Sequence, residues 1–202
     1  MKLKVIATLI TTVVIGGSFS SNFAFAGTQS ASLTVNSNLT AGTCAAALLN
    51  TDDTQISKVE FGDVYISELA AKSKVKAFKI RFSGCAGLPQ KSASVILRPR
   101  TGGCAGPNST TSNFANYIST SNGGASKASV EVWTTKTPEA NGSQQFNCIQ
   151  RNVVNVDLST ASTTQPFDFD LSARMAIVPG FSISDVTPGD FESYAVFVIT
   201  YQ

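Results

Sequence analysis

From residue 31 onward, apolar and polar residues alternate in short runs separated by Gly, Asn, Ser and Pro. A period of two is the mark of half-buried strands, not of helices. "KAFKIRFSGC" sets Phe78, Ile80 and Phe82 on one face and Lys79 and Arg81 on the other. "SLTVNSNLT" and "KVEFGDVYI" precede it, the second with Val59, Phe61, Val64 and Ile66 and a bend or bulge expected at Gly62. "ASVILRP", "SVEVWTT", "NVVNVDLS" and "FDFDLSARMAI" follow. Helical periodicity is weak and confined to "YISELAAKSKVKAF", where Glu68 to Lys74 is expected to form a short turn. Many short strands with regular turn signals predict an all-β protein, an antiparallel β-sandwich. The final run turns Ala195, Phe197, Ile199 and Tyr201 one way and Val196, Val198, Thr200 and Gln202 the other. A strand this apolar on both faces belongs inside a sheet, with a neighbour at each edge. No residue follows Gln202 in the sequence, so the far edge is expected to be covered by an earlier segment or by another molecule.

Composition changes this picture at the N-terminus. Lys2 and Lys4, the apolar run Val5 to Gly17, and Ala24-Phe25-Ala26 match a signal peptide cleaved after Ala26. The apolar run is shorter than a membrane-spanning helix. The chain has 15 Lys and Arg against 13 Asp and Glu; loss of Lys2 and Lys4 leaves 13 against 13. Attraction to nucleic acid is therefore not expected. Export also sets the reading of Cys44, Cys85, Cys104 and Cys148 as two disulfides, for which spacing alone allows three pairings. Without His or a CxxC pair, the sequence offers no zinc site, and no cofactor is expected.

Absence of His also removes the usual general base and most nucleophilic triads, so no enzymatic activity and no catalytic residues are expected. A carboxylate pair for glycosidic chemistry would have to come from Asp168 and Asp170, or from Asp52, Asp53, Glu60 and Asp63, all in loop or strand-alternating contexts suited to solvated groups. Residues 101–127 form a Gly-, Asn-, Ser- and Thr-rich stretch, expected to be a surface loop insertion. A binding loop with Tyr117 or Trp133 as a stacking platform is the rival reading.

Four features together resemble the structural subunits of chaperone–usher pili, the type 1-like fimbrial pilins. They are the signal peptide followed by "TQSASLTVNSNLTAGTC"; Cys44 and Cys85, with "VEFGDV" between them and "FKIRFSGC" leading into the second; "FDFDLSARMAIVPG"; and penultimate Tyr201 with Gly189, fourteenth from the end. The last pair is similar to the chaperone-recognition signature of pilins. The resemblance implies an incomplete immunoglobulin-like sandwich, residues 42–202, completed by a donor strand from another subunit. It implies an acceptor edge at Gly189, Ala195, Phe197, Ile199 and Tyr201, which a periplasmic chaperone occupies first. It implies a donor extension at 27–41, with Ala31, Leu33, Val35, Ser37 and Leu39 on one face; related donors commonly carry Gly where Ser37 stands. The rival is that 28–40 is the domain's own first strand, paired in cis. The resemblance further implies a Cys44–Cys85 bridge, with Cys104 and Cys148, outside the usual single bridge, paired with each other to pin the polar loop. The expected partners are neighbouring pilin subunits, the chaperone, an outer-membrane usher and a host glycan or protein receptor. The expected route runs through the periplasm to a fimbria on the cell surface. The alternative function is a single-domain adhesin or glycan-binding module using 101–127; the short stretch between Ala26 and Cys44 leaves no room for a separate receptor domain.

Overall fold

The computed structural model describes Ser37 and residues 41–107 and 112–202. Donor-strand positions Ala31, Leu33, Val35 and Leu39, and the cleavage site after Ala26, lie outside the described residues, and Ser37 is exposed. Among the described residues, nine strands form two antiparallel sheets. The larger contains β1 (Thr43–Leu49), β2 (Val75–Ala86), β8 (Phe167–Ile177), β6 (Ala128–Trp133), β5 (Asn113–Ala115) and β4 (Cys104–Ala105), in that order. The smaller contains β7 (Val154–Asp157), β3 (Ser92–Thr101) and β9 (Tyr194–Tyr201). Alternation does the sorting: Phe78, Ile80 and Phe82 of β2, Leu171, Ala173 and Met175 of β8 and Val95 and Leu97 of β3 are all buried between the sheets. Lys79 and Arg81 turn outward, where both bind Asp53 and Asp168; the Arg81 Nε–Asp168 Oδ1 distance is 2.6 Å.

Three expectations need correction. Among the described residues, 57–65 form no ladder: Gly62 turns the backbone to φ +65°, and Val59, Phe61 and Val64 pack on the rim of the core. The helical turn lies earlier than expected, as α1 (Ile66–Ala70), because Glu68 caps it by accepting the Tyr65 N–H at 2.8 Å. Residues 101–127 are not a plain surface loop. They hold β4 and β5, which extend the larger sheet past β6, and Phe114 is only 1% exposed. Asn113 is buried beside it, with its amide donating to Ser129 Oγ at 2.8 Å and accepting from Gln145 at 3.0 Å. Cys104 is bonded to Cys148 and Cys44 to Cys85.

On the outer face of the larger sheet lies a charged cluster that no motif announced. Glu131 and Arg174 are cross-strand partners on β6 and β8, and both side chains are 6% exposed. Arg174 Nε donates to Glu131 at 2.7 Å and its terminal nitrogen to Glu139 at 2.6 Å, while Trp133 lies against the guanidinium and donates its Nε1–H to Glu131 at 3.1 Å. Burial is the largest single influence on Arg174 and opposes its charge, but the two carboxylates together outweigh it and hold the guanidinium further toward its charged form.

Candidate functional site

The candidate site is the free edge of β9 and the trough beside it. β9 has one ladder partner, β3, among the described residues. Ser92 and Gln202 exchange both backbone bonds, at 2.9 and 3.5 Å. Antiparallel pairing alternates, so Ser94 with Thr200, Ile96 with Val198 and Arg98 with Val196 are the other bonded pairs. The intervening pairs, Ala93 with Tyr201, Val95 with Ile199, Leu97 with Phe197 and Pro99 with Ala195, turn their N–H and C=O groups away from each other. On β3 those of Ala93 and Val95 serve β7, a ladder continued by the Leu158 N–H to Lys91 carbonyl bond at 2.8 Å. Pro99, which has no N–H to give, lies beyond the last β3–β7 pair, Val95 with Val154. On β9 the outward groups belong to Ala195, Phe197, Ile199 and Tyr201, and no described strand takes them up.

The same four residues share one face of β9; Phe197, Ile199 and Tyr201 pack on the core, while Ala195, at the start of the strand, is exposed. Phe197 packs on Phe78 and Phe146, with centroids 6.5 and 5.8 Å away, and Tyr201 meets Phe82 edge-on at 6.2 Å. Burial pushes the Tyr201 hydroxyl pKa upward. Across the trough stands β1, the edge of the larger sheet, paired with β2. Ala46 and Leu48 share the face of their partners Phe82 and Ile80, yet Ala46 is exposed and Leu48 half-buried. Among the described residues, both sheets therefore stop short on the same side, leaving apolar side chains partly uncovered and a row of backbone groups that no described strand pairs. Such an edge is an invitation to strand addition.

Gly189 is not on this edge. It precedes β9, pressed against residues 123–125, where a Cβ would stand 2.5 Å from Ala125 N and Gly123 O. The other candidates disperse. Asp168 and Asp170 face Arg81 and Lys79 across the β2–β8 ladder. Arg81 and then Lys79 hold Asp168 at about 2, so it is a fixed carboxylate in an ion-pair cluster. Trp133 is engaged by Arg174 and Glu131, while Tyr117, half-exposed, meets Tyr194 edge-on at 5.2 Å. No helix of the described residues is long and apolar enough to cross a membrane.

A two-sheet antiparallel sandwich open beside its last strand defines the pilin type of immunoglobulin-like fold. The chain belongs to the fimbrial protein family, whose pattern, described as "Fimbrial protein", matches residues 30–202. It is 41% identical over 193 residues to the "Uncharacterized fimbrial-like protein YadL" of Escherichia coli (strain K12), covering 96% of this chain and 94% of that one. Its fold is similar to the crystal structure of the P pilus rod subunit PapA, at a TM-score of 0.50 and 15% identity over 79% of this chain and 99% of that one. It is also similar to a chaperone–usher pilus structure, at a TM-score of 0.53 and 15% identity over 87% and 97%. The chain is thus a fimbrial protein by family, with a fold similar to that of chaperone–usher pilus subunits.

Proposed function

We propose that the subunit polymerises head to tail by strand exchange, the open edge of β9 accepting the 27–41 extension of a neighbour. The observation that carries the reading is the coincidence, on Phe197, Ile199 and Tyr201, of inward apolar side chains with outward backbone groups that no described strand pairs. An entering strand thereby gains a ladder and a hydrophobic face together. Leu33, Val35 and Leu39 supply that face, each contributing roughly 1.5–3 kcal/mol when fully buried. Before assembly the same edge is held by a periplasmic chaperone, and an outer-membrane usher delivers the subunit to the cell-surface fimbria, where it contributes to adhesion as part of the filament. The protein acts structurally and not as an enzyme.

Polarity follows from where the ends lie. β9 runs from Tyr194, beside residues 116–126, to Tyr201, beside Ser92. Gly42, the root of the extension, lies against Gly87 and Leu88 at the Tyr201 end, so closely that a Cβ would overlap the Gly87 carbonyl. A donor lying antiparallel to β9 emerges at the Tyr194 end, and its own domain sits opposite the Gly42 root. Each contact is heterologous and leaves a fresh edge, which gives a line and not a ring.

Site-resolved amide exchange tests this on the mature chain. The N–H groups of Ala195, Phe197, Ile199 and Tyr201 should exchange rapidly in the dilute monomer, and those of Val196, Val198 and Thr200 slowly. A peptide spanning Thr28 to Thr40, at about a hundred times its Kd and after long incubation, should slow the first set about a hundredfold. Concentrating the chain should do the same as it oligomerises. A monomer whose four outward amides are already protected, and which ignores the peptide, would mean the extension pairs in cis and would overturn polymerisation.

A further inference from the structure

The stretch that separates β3 from β6 is laced to the segment that leads into β9. Asn116, just after β5, is the hub. Its side-chain amide donates to the carbonyls of Ala125 at 3.0 Å and Asp190 at 2.8 Å, and its oxygen accepts the N–H groups of Ile118 at 3.1 Å and Glu192 at 3.0 Å. All four of its hydrogen-bonding positions are therefore used. Around it, the Tyr117 N–H donates to the Glu192 carbonyl at 2.6 Å, Ala125 N–H to the Asp190 carbonyl at 2.9 Å, and Asp190 N–H to the Gly123 carbonyl at 2.9 Å. The lacing continues into β9, where Tyr194 packs on Tyr117 and gives its hydroxyl to Glu192 at 2.7 Å.

The far side of the clamp is anchored. Cys104 pairs through β4 with Phe114 of β5, the fully buried residue two before Asn116, and is bonded to Cys148. The near side needs holding. Register between β3 and β9 slips between Pro99 and Thr101, so the ladder is interrupted at the start of β9, where no described strand lies at the other edge. Asn116 supplies there what the sheet does not.

We propose that Asn116, framed by the Cys104–Cys148-stapled stretch, is a positioning residue for strand acceptance: it holds the start of β9 in the register that an incoming extended apolar segment must match. This rests on the strand-acceptor reading of the same edge. Loss of the clamp should slow capture of a donor at its Tyr194 end more than it loosens the sandwich as a whole.

The test uses the full mature chain, a fluorescein-labelled peptide spanning Thr28 to Thr40, and two variants. Asn116→Ala removes the hub. Asn152→Ala also removes side-chain-to-backbone bonds, two of them, to Asn147 N and Gln145 O, in the segment flanking Cys148, without touching residues 187–192. Asn116→Ala should slow peptide uptake about tenfold, equivalent to about 1.4 kcal/mol in the barrier, while Asn152→Ala leaves uptake near wild type at a similar urea midpoint. Equal uptake by Asn116→Ala and wild type, or equal slowing by both variants, overturns the assignment. Amide exchange at Val196 and Val198 needs no donor and separates the two failures. If wild type takes up no peptide, the acceptor reading falls; faster exchange there in Asn116→Ala still upholds the clamp, and unchanged exchange refutes it.

Discussion

Replacing Arg174 with Met removes one partner of a buried pair and leaves the other where it was. Glu131 would keep its carboxylate at 6% exposure, with the Trp133 Nε1–H at 3.1 Å and the Lys72 ammonium at 3.4 Å as its remaining partners. Breaking a buried pair costs about 3–5 kcal/mol because a charge is stranded. Lys72 is itself 47% exposed and reaches in from the surface, which sets the expectation at the lower end, about 3 kcal/mol. Loss of the guanidinium face over Trp133, 5.2 Å from the ring, adds about 0.5 kcal/mol. Glu131→Leu should cost less, about 1–2 kcal/mol, since Arg174 retains its 2.6 Å bond to the exposed Glu139. The double variant restores neutrality in a dry site and should lie within about 1 kcal/mol of wild type. Urea unfolding of all four proteins, with both disulfides intact, reads the coupling directly. If the two losses simply add, the pair is not the coupled buried unit described and the reasoning fails.

Two other outcomes follow from groups already placed. Arg81 and Lys79 depress Asp168 below its unfolded value of 3.8 to about 2, so the cluster stabilises fully above pH 4 and loses that contribution as pH falls toward 2; Asp168→Asn should flatten the stability-against-pH curve in that window, by about 1 kcal/mol or less for so solvent-screened a site, and an unchanged slope would refute the assignment. Phe197→Ala should cost about 2–3 kcal/mol and weaken peptide capture through lost contact with Phe78 and Phe146, while Val196→Ala, on the opposite face and 45% exposed, stays within about 0.5 kcal/mol; equal losses in urea melts would mean the faces of β9 are assigned wrongly.

Strands β2, β3, β8 and β9 are legible in the sequence because their two faces differ in polarity or their apolar runs are long. β1 is not: Thr43 to Leu49 is small and aliphatic, with no alternation of character, and becomes a strand by pairing with β2. β4 and β5 are too short for any period, and Phe114 alone hints that the polar stretch reaches the core. Residues 57–65 carry the reverse error, a strand pattern with no backbone partner among the described residues to realise it. Within the site, the shared face of Ala195, Phe197, Ile199 and Tyr201 follows from period two, but which amides face outward depends on the register with β3, and that is a property of the pairing. The Asn116 hub and the Glu131–Arg174 pair join residues too far apart in the chain for any motif to connect them.

Gly42 and the Cys44–Cys85 bond have a mechanical consequence. In a filament built as proposed, tension on a subunit enters through its extension and reaches the domain at Gly42, wedged against Gly87. Just beyond, Cys44 is covalently joined to the end of β2, a strand with a neighbour on both sides. Load therefore passes by a covalent shunt into the interior of the larger sheet instead of peeling β1 from its edge one hydrogen bond at a time. The remaining weak link under force is the non-covalent seat of the neighbour's strand along β9.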